Sequence, residues 1–340
     1  MIREAIKNAV NRKDLSYEIA ESVMDEIMRG EASDIQMAAY LTAMSVKGET
    51  IDEITGSAAG MRKHCIRLLH DMDVLEIVGT GGDNSNSFNI STTSAIVASA
   101  AGIPVAKHGN RAASSKCGSA DVLEALGVDI TIKPAHSLSL LKNINICFLF
   151  AQNYHIAMKY VAPVRRELGI RTIFNILGPL VNPAGANMEL LGVYEEAMVK
   201  PMAQVLANLG VKNALVVFGQ DGLDEISVSA PTTVCEVRNG KLNFFELSPE
   251  QFGFERSDRN ELTGGSPQEN AFIIREVLSG KAGAKKTAVV LNSAAAIHVA
   301  RPQISLQEAV KLATETIDSG KAFEQLEKFI KHSQTVSTEI

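Results

Sequence analysis

Cysteine is sparse in this chain: Cys65, Cys117, Cys147 and Cys235 form no CxxC pair and share no repeated spacing. That argues against a disulfide framework or a zinc site and leaves four reduced structural thiols. No apolar run reaches the roughly 18 residues that a membrane-spanning helix needs. The opening MIREAIKNAVNRKDL is charged and amphipathic and lacks the apolar core of a signal peptide. A soluble, cytoplasmic protein is expected. Aromatic residues make up only 5%, and formal net charge is 33 − 39 = −6. Without a basic-aromatic stripe, nucleic-acid binding is not expected. Repeats and low-complexity linkers are absent. So are the Gly-Lys-Ser/Thr of a nucleotide P-loop and the Gly-x-Gly-x-x-Gly dinucleotide fingerprint. No Ser-His-Asp or Cys-His arrangement is evident, and no covalent enzyme intermediate is expected.

What is present is a chain of 340 residues, 46% hydrophobic and 21% charged. That is an ordinary globular balance, with room for a large α/β domain and a smaller one. Residues 1 to about 70 read as helices alone. Ile2, Ile6 and Val10 recur every four residues, as do Ile19, Val23 and Ile27, so each set is expected on one helical face. Ser33-x-x-Gln36 and Thr50-x-x-Glu53 fit capping boxes, and Gly30 and Gly48 stand where helices should stop. From residue 74 the pattern changes. Short apolar strands at 74–78, 103–106, 128–132, 146–150, 189–194 and 214–219 alternate with helical stretches such as 91–102 and 120–127. Buried strands separated by helices predict a mostly parallel central sheet flanked by helices. Residues 232–247 read as a hairpin turning at Asn239-Gly240, and 288–300 as a last strand running into a helix. Ser305-x-x-Glu308 caps a closing helix that runs to about residue 331, with a fraying end beyond it. The expected fold is α/β: a small all-helical N-terminal domain (1–70) and a large sheet domain (71–340).

The chemistry concentrates where strands end. Gly79-Thr-Gly-Gly-Asp83 leaves a predicted strand and precedes a helix that opens with Ser91, Thr92, Thr93 and Ser94. Glycines let main-chain N–H groups turn toward an anion, and a helix N-terminus adds donors and partial positive charge. A tight strand-to-helix turn with an N-cap serine accounts for the same residues. The next loop, Lys107 to Asp121, carries Lys107, Arg111 and Lys116 with Ser114, Ser115 and Ser119, and no acid before Asp121. Parallel strands deliver their ends to one edge, so the two loops are expected to be neighbours that suit a ligand bearing several phosphates. Asp224 and Glu225 follow the strand at 214–219. Opposite phosphate loops, such a pair is suited to Mg²⁺ bridging a diphosphate. Pro163 puts a helix break around 161–163, and Arg165 beyond it is able to grip a carboxylate with two prongs. His155 on its own is more often a packed residue than a catalyst. The Gly178-Pro179 and Asn182-Pro183 pairs mark turns or a hinge.

GTGGD (79–83), KHGNRAASSKCGSADVLEALG (107–127), AMKYVAPVRRELGIRTIFNILGPLVNP (157–183) and GLDEIS (222–227) occur in this order. Together with DIQMAAYLTAMSVKGET (34–50), they make essentially the whole chain resemble the anthranilate phosphoribosyltransferases of tryptophan biosynthesis. The resemblance implies a homodimer whose small helical domain, 1–70 joined by part of about 163–188, faces a large α/β domain across the active-site cleft. It implies transfer from phosphoribosyl pyrophosphate (PRPP) to the amino group of anthranilate, giving N-(5-phosphoribosyl)anthranilate and pyrophosphate, with Mg²⁺, two ions per subunit. By motif match, Gly79, Gly82, Asp83, Ser87, Asn89, Ile90, Ser91 and Thr92 would hold PRPP. Lys107, His108, Gly109, Asn110, Arg111, Ala112, Ala113, Ser114, Ser115 and Ser119 would complete that pocket. Ser91, Asp224 and Glu225 would serve the metals, and Gly79, Asn110, His155 and Arg165 would contact anthranilate. Association with anthranilate synthase is left open by the resemblance. Two residues depart from the family pattern: Ser87 stands where Thr is common, and Cys117 where Ser is frequent. The main rival is a pyrimidine nucleoside phosphorylase, which uses a similar Lys-His and glycine/serine-rich phosphate site; KHGNR, PVRRELG and the Asp-Glu pair favour the transferase. A non-catalytic relative that binds nucleic acid is disfavoured by the charge.

Overall fold

The computed structural model describes residues 1–112 and 115–335. Its first four helices are α1 (Ile2–Val10), α2 (Tyr17–Met28), α3 (Asp34–Lys47) and α4 (Ile51–Arg62). Ser33 with Gln36 and Thr50 with Glu53 make the capping boxes that their spacing predicts, and Gly48 ends α3 at φ 85°. The face of α1 is rotated from expectation: Ile2, Ala5 and Ala9 are buried, whereas Val10 is 67% exposed. Eight residues at about 100° each carry Val10 roughly 80° round the helix from Ile2, and two small alanines take the inner face. Glu53 has a second duty. Fully buried, it pairs with Lys47 Nζ at 2.9 Å and accepts from the Leu15 amide at 2.8 Å. It thereby ties the α1–α2 loop to the ends of α3 and α4.

Seven strands form one sheet in the order β3-β2-β1-β4-β5-β6-β7. They are β1 (Leu75–Gly79), β2 (Val105–Gly109), β3 (Ile146–Phe150), β4 (Met188–Gly192), β5 (Asn213–Gly219), β6 (Thr232–Arg238) and β7 (Lys241–Leu247). The first five run parallel, and β6 and β7 close the sheet as the expected antiparallel hairpin. Asn239 and Gly240 both have positive φ, 50° and 76°, the pairing that a two-residue hairpin turn requires. Alternate residues of the sheet feed two cores. Leu190, Leu215 and Val217 pack beneath, with α5 (Ile90–Ala100) and the C-terminal helices. Leu191, Ala214 and Val216 pack above, in a core continuous with that of α2, α3 and α4. Chain order reverses between β1 and β4, which opens a crevice at the carboxyl ends of the strands.

Several elements differ from the sequence reading. Residues 128–132 are not a strand. Val128, Ile130 and Ile132 are buried as alternation predicts, but Asp129 Oδ1 accepts from the amide and hydroxyl of Thr131 at 2.8 and 2.7 Å. This Asx turn satisfies the backbone locally, and α7 (Pro134–Ile144) follows α6 (Ser119–Leu126) without a sheet partner between them. Residues 288–300 belong wholly to the helix Ala284–Ala300, whose apolar run is continuous because the helix is buried all round. The closing helix is two, Leu306–Asp318 and Lys321–Thr335, parted by Gly320 at φ 82°. Residues 332–335 continue the second, and 336–340 lie outside the described residues. The Gly178-Pro179 pair sits in the last turn of the helix Phe174–Leu180 rather than in a loop.

Candidate active site

The turn after β5 lies directly on the ends of β1 and β4. A Cβ on Gly79 would stand 2.3 Å from Asp224 Oδ2, and one on Gly192 only 1.6 Å from the Asp224 carbonyl oxygen. Glycine is therefore dictated by close packing at both strand ends. Beyond them Gly81 and Gly82 hold φ of 67° and 80°, which suits residues without a Cβ. The Gly81 amide donates to Asp224 Oδ2 at 2.8 Å, and the Ser91 amide to Glu225 Oε1 at 3.0 Å. The glycine loop, the N-terminus of α5 and the carboxylate pair thus meet at one edge, as the strand-end argument predicts.

Charge there is unbalanced. Asp224 and Glu225 are buried, and the Asp224 amide approaches Asp83 Oδ2 at 3.5 Å. Burial, helped by the charge of Asp83, pushes the Asp224 carboxyl up to about 7; burial beside Asp224 pushes Glu225 well above the usual carboxylate range. Lys107 on β2 is also buried, and its Nζ donates to the Ile77 carbonyl at 2.6 Å and to Ser91 Oγ at 3.3 Å. Burial lowers its pKa against the pull of Glu76, Glu225 and Asp224. Among the described residues no three His, Cys, Asp or Glu side chains form a metal cage by themselves. A divalent cation held here would need water and ligand oxygens to complete its shell, which fits Mg²⁺. Thr92 Oγ1 and Ser94 Oγ are buried without a partner at the same helix start.

The remaining expected residues fall into place unevenly. Asn89 donates from Nδ2 to the Cys117 carbonyl at 3.2 Å and accepts from Asn270 at 2.9 Å, joining the start of α5 to the second loop. Ser87 Oγ accepts from Ser85 Oγ at 3.1 Å. The Ile90 side chain is buried in the lower core, leaving only its main chain for a ligand. Arg111 is not a free phosphate cation. Its guanidinium bridges Asp121 and Glu124 of α6 at 3.0 and 2.8 Å, because the loop folds back over the acids that follow it in sequence. The amides of Ala112 and Gly118 both donate to Asp121 Oδ2 at 2.9 Å. Gly109 ends β2, the Arg111 amide donates to Asn110 Oδ1 at 2.8 Å, and Ser119 Oγ donates to the Asn110 carbonyl at 3.3 Å. Ser115 and Lys116 are exposed, and Ala113 and Ser114 lie outside the described residues.

A drier region adjoins the second loop. His108 and His155 are buried with ring centroids 5.0 Å apart. His108 Nδ1 meets the Gly178 carbonyl at 3.2 Å, while both Nε2 atoms are buried without a partner. Burial, with His155 adding to it, pushes His108 down to about 3; burial alone pushes His155 down to about 4, so both are neutral at pH 7. Arg165, half-buried in the helix Ala162–Leu168, lies 5.4 Å over the Phe174 ring and has no ion-pair partner among the described residues. One contact has no signal in sequence spacing. Arg171 donates to the Gly82 carbonyl and stacks 4.2 Å from the Tyr194 ring centroid, while its own carbonyl accepts from Ser45 Oγ at 3.0 Å. It connects α3 to the glycine loop, although Arg171 itself lies 89 residues from Gly82 in the chain.

Residues 71–323 match the glycosyl transferase family a/b domain, and residues 3–65 its helical bundle domain. An anthranilate phosphoribosyltransferase of Lachnoclostridium phytofermentans is 66% identical over 98% of this chain and 99% of its own. The chain belongs to the anthranilate phosphoribosyltransferase family. Among solved family structures, that from Thermus thermophilus superimposes with a TM-score of 0.92 at 44% identity, covering 97% of this chain and 99% of its own. The Saccharomyces cerevisiae enzyme, solved in complex with PRPP and Mg, gives 0.90 at 30% identity over 98% of both chains. The helical layer and the mostly parallel sheet are thus the family's fold, as the sequence motifs predict.

Proposed function

We propose that this chain transfers the phosphoribosyl group of PRPP to the amino group of anthranilate, yielding N-(5-phosphoribosyl)anthranilate and pyrophosphate in tryptophan biosynthesis. The observation that carries the reading is the meeting of Gly81, Ser91, Lys107, Asp224 and Glu225 at one strand edge, in a chain so similar to a named transferase. In this reading Gly79, Gly82, Asp83, Ser87 and Asn89–Thr92 hold PRPP together with Lys107–Ser115 and Ser119. Ser91, Asp224 and Glu225 would hold Mg²⁺, two ions per subunit. Support for the metal comes from two buried carboxylates at a strand edge that also holds one buried ammonium, Lys107, and from the yeast relative's complex with PRPP and Mg. Bound Mg²⁺ supplies charge neutralisation for a departing diphosphate.

Breaking the C1–O bond leaves positive charge on the ribose and negative charge on pyrophosphate. The Lys107 ammonium, already desolvated, stabilises the leaving group more than it would in water. Arg111 contributes less, because its charge is spent on Asp121 and Glu124. Arg165 takes the anthranilate carboxylate, with Gly79, Asn110 and His155 along the ring. The aromatic amine is weakly basic and neutral at pH 7, so the protein's main task is to orient it toward C1. Neutral His108 and His155 add no charge beside it. The resemblance implies a homodimer, composition favours a cytoplasmic setting, and association with anthranilate synthase stays a further expectation. For the dimer there is also an apolar groove of about 540 Å³ on α1 and α3, lined by Ala9, Val10, Ala43 and Val46.

Anthranilate fluorescence tests the reading directly. It should fall when protein, PRPP and Mg²⁺ are all present and stay level when any one is omitted. A flat trace with all three, accompanied by phosphorolysis of a pyrimidine nucleoside, would replace the transferase by the phosphorylase.

A further inference from the structure

β1 pairs with β4 over five residues, and β2 with β3 over five, yet β1 and β2 share a single paired position, Leu75↔Val105. Beyond that point three side chains take over the ladder. The Ala106 carbonyl accepts from Asn182 Nδ2 at 2.8 Å instead of from β1. The His108 amide donates to Glu76 Oε1 at 2.8 Å, and the Ile77 carbonyl accepts from Lys107 Nζ at 2.6 Å. Asn182 Nδ2 also donates to Glu76 Oε2, which locks two of the three together. Asn182 itself is oriented through Oδ1, which accepts from the Ala184 amide at 2.8 Å. Every one of these groups is buried, and Glu76 is completely so. Main-chain groups inside a sheet rarely forgo the ladder, since an unmade hydrogen bond there is costly. Here three of those groups are satisfied by side chains instead. The strands are splayed by a built polar wedge at the point where both loops depart.

We propose that Glu76 and Asn182 are positioning residues that hold Lys107 and His108 by parting β1 from β2, so that the Lys107 ammonium emerges beside Ser91 at the open strand edge. The inference rests on the reading above only in assigning Lys107 to the diphosphate. Charge agrees with the geometry: Glu76 faces Lys107 from β2 and Asn182 from the segment before β4, with Glu189 beside it on β4 and Arg62 beyond. Without the wedge, the two strands would be free to zip together, and the Ile77 carbonyl would be available to β2 rather than to Lys107.

Glu76→Gln tests this with little change of volume. The amide turns one acceptor into a donor, facing either the His108 amide or Asn182 Nδ2. We expect KM for PRPP to rise roughly tenfold or more, with KM for anthranilate within about twofold, in enzyme whose circular dichroism matches wild type. A merely structural role would lower the active fraction, and so apparent kcat, without moving KM for PRPP. A folded variant with unchanged KM for PRPP would overturn the proposal. Asn182→Ala should show the same selectivity, and it decides the matter if Glu76→Gln does not fold. Hydrogen exchange of the wild-type chain needs no variant: the 105–109 segment should be as protected as 146–150, and exchange at loop rates would equally overturn the wedge. If wild type itself consumes no anthranilate, the functional reading fails, while the exchange result still judges the wedge.

Discussion

Asp224 and Glu225 are the residues whose burial is hardest to reconcile with stability alone. Two carboxylates held out of water and pushed upward in pKa cost the free chain energy that an amide pair would not. Asp224→Asn combined with Glu225→Gln should therefore leave Tm unchanged or higher while turnover falls on the order of a hundredfold. Calorimetry beside a rate–Mg²⁺ profile checks both halves, and an unaltered profile would remove the pair from the metal role. Arg165→Ala should raise KM for anthranilate and spare PRPP; the reverse pattern would misplace the acceptor. Histidine offers a pH test. His155 falls from its ordinary range to about 4 in the folded chain, so the unfolded chain binds the extra proton between about 6.5 and 4. Its contribution is complete above about 6.5 and is lost as pH falls through that window. His155→Leu should flatten the slope of unfolding free energy over those pH values, measured by urea titration. At this scale the sequence was generous with the glycine loop, Lys107 and the Asp-Glu pair, because chemistry-bearing residues cluster at strand ends. It was silent on Arg171, Glu76 and Asn182, whose partners lie 89, 32 and 76 residues away.

Elements were legible where their signal is local. The capping boxes at Ser33, Thr50 and Ser305 are formed as their four-residue patterns predict, and the Asn239-Gly240 hairpin follows from its turn chemistry. Residues 128–132 and 288–300 misled for the opposite reason. Alternation and apolar runs report burial, and burial is served equally by an Asx turn under helices or by a helix enclosed on all sides. Glycine gives a sharper test of element packing. Gly192→Ala would drive a methyl group into the Asp224 main chain and should destabilise the fold by about 1–3 kcal/mol or more, with activity falling alongside. Gly178→Ala meets nothing within 4 Å and lies in a helix, so it should be neutral or stabilise by about 0.5–1 kcal/mol. Thermal unfolding of the two variants side by side distinguishes a packing requirement from a general intolerance.

Across the whole molecule, the sheet separates two cores, and the upper one is shared with the N-terminal helices. The α/β class and the helical start were readable from the change of periodicity near residue 74. The way one core spans both was not readable from periodicity: only the resemblance implied that part of about 163–188 joins the helical layer, and residues between 161 and 181 do pack into that core. The same layer exposes Val10, Ile35 and Val46, at 67%, 81% and 69%. If this face joins two copies, Val46→Glu should shift the sedimenting species toward the 36.5 kDa single chain while leaving the helical circular dichroism intact; an unchanged mass would move the interface elsewhere.

The seating of Asp224 on Gly79 and Gly192 carries a mechanical consequence. With no space for a methyl group between them, the acidic turn and the two central strands must travel as one rigid floor. Any narrowing of the gap around the reactants then falls to the helical roof, whose hold on that floor includes the Arg171 tether between Ser45 and the Gly82 carbonyl.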